Sequence, residues 1–215
     1  MKITKHVHAC VELESDGRGL LIDPGTFAPN AAELIARASA VLLTHEHFDH
    51  VDAELLDAAL SSRTDLSVWG PDSITSRWTE KYPDRVHPVR SGDTFTANGL
   101  NVAVYGGAHA RIHADLPPVS NVGYLVEETV YHPGDSYHVP DAAIPVLLVP
   151  TSGPWTKLSE AVDWVRAVNP ETIIQIHEIM LSETGQRSAA MFLSPSMLTR
   201  VPLTLLPAGE SADVG

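Results

Sequence analysis

Between Thr44 and His50 the chain reads Thr-His-Glu-His-Phe-Asp-His, which places His45, His47, Asp49 and His50 within six residues. Neutral imidazole and carboxylate are good ligands for zinc, and a tight loop can turn neighbouring side chains toward two adjacent ions rather than one. Two ions about 3.5–4 Å apart can hold a water and polarise a carbonyl or phosphoryl oxygen together, so hydrolysis is the natural chemistry. A histidine-rich surface loop is the plainer reading. Asp49 could then cap the following helix, but capping explains none of the three histidines. Further ligand types follow at later points: Gly106-Gly107-Ala108-His109, His132-Pro133-Gly134-Asp135-Ser136 and Ile174-Gln175-Ile176-His177.

Each of these groups comes directly after an apolar, strand-like run, where loop residues from several strands can converge. The expected elements begin with β-like runs at Ile3 to Leu13 and Gly19 to Ile22, joined at Ser15-Asp16-Gly17-Arg18, whose Asp-Gly pair suits a tight hairpin. Ala31 to Ala38 reads as a helix, Val41-Leu42-Leu43 as a buried strand, and Asp52 to Leu60 as a helix with Leu55, Leu56, Ala59 and Leu60 on one face. The metal run therefore lies between a strand end and a helix start. Strands are expected at Leu66 to Trp69, Arg85 to Val89, Thr94 to Thr96 and Leu100 to Tyr105, with a helix from Ser73 to Lys81. In the second half they are expected at Val122 to Val126, Thr129 to His132, Val146 to Val149, Thr172 to Ile176 and Leu203 to Leu206. Helices are expected at Leu158 to Val168, stopped by Asn169-Pro170, and at Glu183 to Phe192. β-rich stretches broken by helices in both halves predict an α/β fold, a four-layer αββα sandwich.

The whole-chain properties narrow the function classes. A length of 215 residues, 44% hydrophobic and 19% charged, suits one well-packed domain spanning residues 1–215. The formal charge of -13 repels phosphate backbones and anionic lipid, so nucleic acid and membrane surfaces are not expected partners. The N-terminus lacks the apolar stretch of a signal peptide, and the longest apolar run, Ile144 to Val149, contains Pro145 and is too short to span a bilayer. Cys10 is the only cysteine, so no disulfide can close within the chain, and a cytoplasmic protein is expected.

The pattern His-x-His-x-Asp-His, a later His, a Gly-Asp pair and a last His after a strand resembles the metallo-β-lactamase superfamily, from the first hairpin to His177. The resemblance implies that His45, His47 and His109 hold one metal, that Asp49, His50 and His177 hold the other, and that Asp135 bridges them. It further implies two Zn2+, with Mn2+ or Fe2+ as substitutes, and a hydroxide nucleophile between them. Zinc lowers the pKa of bound water from about 15.7 toward roughly 7. Asp49 is expected to act both as a ligand and as the catalytic acid or base. Within the superfamily, His132-Pro133-Gly134-Asp135-Ser136 and Thr151-Ser152-Gly153-Pro154-Trp155 are similar to the branch containing L-ascorbate-6-phosphate lactonase. The expected function is hydrolysis of a small ester, lactone or phosphoester, with a small-molecule substrate and a homo-oligomeric state left open.

His109 is preferred over His113 as the third ligand because it lies nearer the strand end and matches the family position. Arg111 reads as a surface arginine, His132 as a structural histidine at a strand end, Trp155 as core packing and Cys10 as a small buried hydrophobe. His6, His8, His87 and His138 lack partners at ligand spacing and are assigned no role. Two alternatives remain: a metal-binding protein without turnover, and a di-iron redox protein on the same fold. Redox members of the superfamily place Glu where this chain has His47 and carry a flavin domain for which 215 residues leave no room.

Overall fold

In the computed structural model, which describes all 215 residues, fourteen strands and five helices follow in chain order. The first half contains β1 (Lys2–Lys5), β2 (Val11–Ser15), β3 (Arg18–Ile22), α1 (Ala31–Arg37), β4 (Ala40–Leu42), α2 (Ala53–Ser62), β5 (Ser67–Gly70), α3 (Asp72–Thr75) and β6 (Val86–Pro88). The second contains β7 (Thr94–Ala97), β8 (Leu100–Gly106), β9 (Val122–Val126), β10 (Val130–His132), β11 (Val146–Pro150), α4 (Leu158–Val168), β12 (Thr172–Ile176), α5 (Glu183–Phe192), β13 (Leu203–Thr204) and β14 (Ser211–Asp213).

The strands form two seven-stranded sheets, β14-β1-β2-β3-β4-β5-β6 and β13-β12-β11-β10-β9-β8-β7. In each, an antiparallel meander turns into a parallel run: β3 pairs parallel with β4, and β10 parallel with β11. The two halves share this layout although the sequence carries no visible repeat. Period-2 alternation then sorts the core into layers. Ile22, Leu42, Leu148 and Ile174 point between the sheets, where they meet Val102, Tyr124 and Val126. Their neighbours Leu21, Val41 and Leu43 point outward to Leu34, Ile35, Leu56 and Leu60 of α1 and α2. On the opposite side Leu147, Val149 and Ile173 meet Val162, Trp164 and Val165 of α4 and Ala189 near the end of α5. The order is helix, sheet, sheet, helix, which is the expected four-layer sandwich. No helix is long and apolar enough to cross a membrane.

Two expected elements need correction. The run from Ile3 to Leu13 is not one strand: β1 stops at Lys5 and β2 starts at Val11, so residues 6–10 form a loop with His8 in the left-handed region at φ 67°. The hairpin turn itself is where the Asp-Gly pair put it, with Asp16 at φ 52° and Gly17 at φ 74°. The helix expected from Ser73 to Lys81 closes after Thr75 and continues as turns. There the hydroxyls of Thr75 and Thr79 bond back to the carbonyls of Pro71 and Thr75, competing with a regular helix. β14, unanticipated, covers the free edge of β1.

Candidate metal centre

Every chemically distinctive group of this chain leaves the C-terminal end of a strand. Asp23 follows β3, the run from Thr44 to His50 follows β4, His109 follows β8, Asp135 follows β10, Trp155 follows β11 and His177 follows β12. The loop after β4 is fixed by its own backbone, with the His50 and Val51 N–H groups donating to the His47 carbonyl. It is also pinned by the Asp23-Pro24-Gly25 turn: Thr26 N–H donates to Phe48 O, and Asp52 N–H to Pro24 O. A Cβ on Gly25 would lie 2.0 Å from the Asp49 carbonyl oxygen, so only glycine allows this approach. Asp52, not Asp49, caps α2, accepting from Leu55 N–H at 3.0 Å, and this leaves the Asp49 side chain free.

The seven residues singled out from sequence converge in two groups. His45, His47, His109 and Asp135 bring one ligand atom each within 4.8 Å of one another, and so do Asp49, His50 and His177 together with His8. His45 Nε2 lies 3.1 Å from His47 Nδ1, and His50 Nε2 lies 3.3 Å from His177 Nε2. Asp135 stands between the groups with one oxygen for each. Its Oδ1 is 3.0 Å from His50 Nε2 and 3.1 Å from His177 Nε2. Its Oδ2 is 3.2 Å from His109 Nε2 and 4.0 Å from His45 Nε2.

The hydrogen bonds behind these side chains fix which ring atoms face inward. His50 Nδ1 lies 2.7 Å from Asp23 Oδ2, so the N–H donates there and Nε2 offers its lone pair. Asp23 itself is fully buried and also accepts from Thr44 N–H at 2.8 Å and Thr44 Oγ1–H at 2.6 Å. Thr44 Oγ1 in turn accepts from His45 Nδ1 at 3.0 Å, and His109 Nδ1–H donates to the Ala110 carbonyl. Asp135 is held through Asn121: its N–H donates to Asn121 Oδ1 at 2.9 Å, and Asn121 Nδ2–H donates to Pro133 O at 2.9 Å. A Cβ on Gly134, at φ +62°, would meet Asn121 Oδ1 at 2.3 Å, which explains the glycine before the aspartate.

Burial and neighbouring charge tune these groups in opposite directions. Burial opposes charge on His50, yet Asp135 and Asp23 on either side hold its pKa well above that of ordinary imidazole. Burial is not offset in this way at His45, which is pushed well below. Asp135 sits well below the usual carboxylate range because His50, His109 and His177 outweigh its burial. Asp49 is also lowered: burial acts against its charge, and the hydrogen bond with His8 and the proximity of His50 overcome it.

The donor set fits metal ions. His109 Nε2 and Asp135 Oδ1 are buried without a hydrogen-bond partner. His45 and His50, whose Nδ1 atoms hydrogen-bond away from the centre, bring Nε2 to 3.1 and 3.3 Å from other ring nitrogens, so several ligand-type atoms converge where a cation could be held.

The remaining residues separate cleanly. His132 donates from Nε2 to the Ala9 carbonyl at 2.8 Å and accepts Gly134 N–H on Nδ1 at 3.1 Å, so it supports the Asp135 turn and does not enter the site. His113 is exposed and approaches Asp115. Trp155 is more than packing: its indole N–H donates to Asp135 Oδ2 at 2.8 Å. Asp23 and His8 were missed from sequence. Asp23 has no role assigned from sequence, although a carboxylate at a strand end close to the histidine-rich run is a usable signal. His8 was hidden inside a run read as continuous strand.

Beside the first group, His47, His109, Arg111, Ile112, Leu116, Pro117 and Pro118 line a cleft of about 180 Å³. A larger cleft of about 340 Å³ over β7 and β8, lined by Thr94, Phe95 and Asn101, lies among none of these groups.

Residues 2–177 match the beta-lactamase superfamily domain. The chain belongs to this superfamily. It is 35% identical over 187 residues to Protein Rv0786c of Mycobacterium tuberculosis, covering 85% of this chain and 86% of that one. A UPF0173 metal-dependent hydrolase of Anoxybacillus flavithermus is 29% identical over 149 residues, 63% of this chain and 64% of the other. Among solved structures, Igni18, a metallo hydrolase from Ignicoccus hospitalis, superposes with a TM-score of 0.74 at 20% identity, covering 98% of this chain and 97% of its own. The fold is the metallo-β-lactamase fold, and the enzyme class is that of the superfamily's metal-dependent hydrolases.

Proposed function

We propose that the protein is a two-zinc hydrolase that cleaves a small ester, lactone or phosphoester. The observation that carries this reading is the division of the Asp135 carboxylate, one oxygen toward His50 and His177 and the other toward His109. His45, His47, His109 and Asp135 Oδ2 would hold one ion, and Asp49, His50, His177 and Asp135 Oδ1 the other. When bound, such ions supply Lewis acidity and a water acidic enough to give hydroxide near neutral pH.

The protein's own residues do the rest. Asp23 and Thr44 hold the imidazoles of His50 and His45 with their Nε2 atoms inward. Asp49, partly reachable from solvent, carries the proton between water and leaving group. Leu116, Pro117 and Pro118 give the adjoining cleft an apolar wall, and Arg111 adds a positive charge that favours substrates with an anionic group. A cleft of about 180 Å³ suits a small molecule. The resemblance to the L-ascorbate-6-phosphate lactonase branch puts sugar lactones and small phosphoesters first among substrates. A single buried cysteine supports a reducing, cytoplasmic setting.

The test combines metal analysis with a panel of lactones, carboxylic esters, thioesters and phosphoesters. Two zinc ions per chain and turnover of at least one class are expected. Asp49→Ala should lower turnover by about 10²–10⁴-fold with the fold kept, whereas His113→Ala should keep at least part of the activity. Undiminished turnover in Asp49→Ala removes the proposed role. Tightly held iron with oxygen consumption would replace hydrolysis by redox chemistry.

A further inference from the structure

His8 stands beside the second ligand group without belonging to the pattern that defines it. Its Nε2 lies 2.9 Å from Asp49 Oδ2, and Asp49 Oδ2 is also the oxygen that faces His50 and His177, at 3.9 Å from the Nε2 of each. His8 is buried, and its Nδ1 has no hydrogen-bond partner, so Asp49 receives all of the ring's hydrogen bonding.

Two roles are open to an imidazole in this place: an extra metal ligand, or a support for the ligands already there. Ring geometry separates them. Imidazoles converging on one ion radiate from it, which keeps their centres apart. The pairs that share a group here, His45 with His47, His45 with His109, His47 with His109 and His50 with His177, have ring centres 4.6, 5.0, 4.9 and 5.3 Å apart. His8 and His177 are only 3.6 Å apart. His8 thus packs against the His177 ring, tilted by 46°, instead of radiating with it.

The backbone is built to keep it there. His8 and His177 both adopt left-handed conformations, φ 67° and 58°, which non-glycine residues occupy at a cost and which persist only when surroundings enforce them. His177 N–H donates to the His8 carbonyl at 2.9 Å. Glu178 Oε1 accepts from His8 N–H at 3.3 Å and from the buried Lys5 ammonium at 2.7 Å. The end of β1 and the end of β12 are therefore tied together by a buried ion pair.

We infer that His8 is a positioning residue for the second metal: its Nε2–H fixes the Asp49 carboxylate, and its ring backs His177, so that both ligands are set before an ion arrives. This rests on the two-metal reading above. Hydrogen bonds to ligating groups orient them, and their loss typically costs metal affinity about 10–100-fold.

The probe is cadmium-113 added to the metal-free protein and followed by NMR and by competition with a chelating dye. Two bound ions should give two resonances, one from a three-imidazole site and one from a two-imidazole site. His8→Ala should weaken binding at the two-imidazole site about 10–100-fold and leave the three-imidazole resonance in place, which also reports a folded protein. His8→Gln, whose amide N–H can still donate to Asp49, should recover most of the loss. Unchanged affinity in His8→Ala, an equal loss at both sites, or His8→Gln as weak as His8→Ala overturns the inference. Two resonances both typical of three nitrogens in the unaltered protein overturn it too, because His8 would then be a ligand. Uptake of fewer than two ions by the unaltered protein defeats the two-metal reading itself, and the inference with it. A failure confined to the variants defeats only the inference.

Discussion

The two halves of the candidate metal centre are built differently. The group of His45, His47 and His109 is supported by a threonine hydroxyl and a backbone carbonyl, and two of its members line the open cleft. The group of Asp49, His50 and His177 is backed by a buried carboxylate, Asp23, and a buried imidazole, His8, and it has two left-handed histidines at its base. The open half leaves room for a substrate to approach. The closed half spends its contacts on holding ligands in place: Asp23 accepts from the His50 ring and His8 bonds to Asp49.

The largest effect should come from the residue that joins the halves. Asp135→Ala removes an oxygen from each group, so both ions should be lost, and turnover should fall by at least about 10³-fold. Metal content measured after dialysis decides this, and retention of both ions would show that the carboxylate does not join them. A smaller and unequal effect is expected for Asp23→Asn. The amide can still accept from Thr44 N–H, but its nitrogen cannot accept from His50 or from Thr44 Oγ1–H, so affinity in the closed half should fall about 10–100-fold, with a smaller loss in the open half, which Asp23 reaches only through Thr44 and His45. Equal loss in both halves would erase the contrast.

The smallest effect is electrostatic. In the metal-free protein, burial lowers the pKa of His8, His45, His47, His87 and the supporting His132, so the unfolded chain, protonating near about 6.5, binds more protons than the folded one. These five groups cost stability as pH falls through that value. His50, raised despite its burial by Asp135 and Asp23, acts oppositely: its contribution is present below about 6.5 and lost as pH rises through its folded pKa. With five groups against one, the metal-free protein should melt at a lower temperature at about pH 5.5 than at about pH 7.5. A higher melting temperature at the acidic pH would mean that His50 dominates.

Much of the architecture was readable because strands buried on both faces read as short unbroken apolar runs and the helices as apolar stripes of helical period. The runs Val146 to Val149 and Thr172 to Ile176, and the helix from Leu158 to Val168, lie where their patterns put them. β14 was not readable, since Ser211–Asp213 has no apolar pattern and owes its strand form to pairing with β1. Residues 6–10 were misread for a related reason. The β-like run Ile3 to Leu13 passes through them, and a local turn, with His6 N–H donating to Cys10 O and Cys10 N–H to Val7 O, together with the ties to Glu178 and His177, makes them a loop.

The sequence by itself determined which residues could do chemistry: the ligand-type residues, their dense spacing after β4 and the later His, Asp and His at further strand ends. Local pattern suffices for that, because ligand type and strand ends are properties of short segments. Only the tertiary structure decided that Asp135 turns one oxygen to each group, that Asp23 stands behind His50, and that His8 reaches Asp49 from 41 residues away. Those relations depend on where two sheets place the ends of strands distant along the chain, and no local spacing encodes that distance.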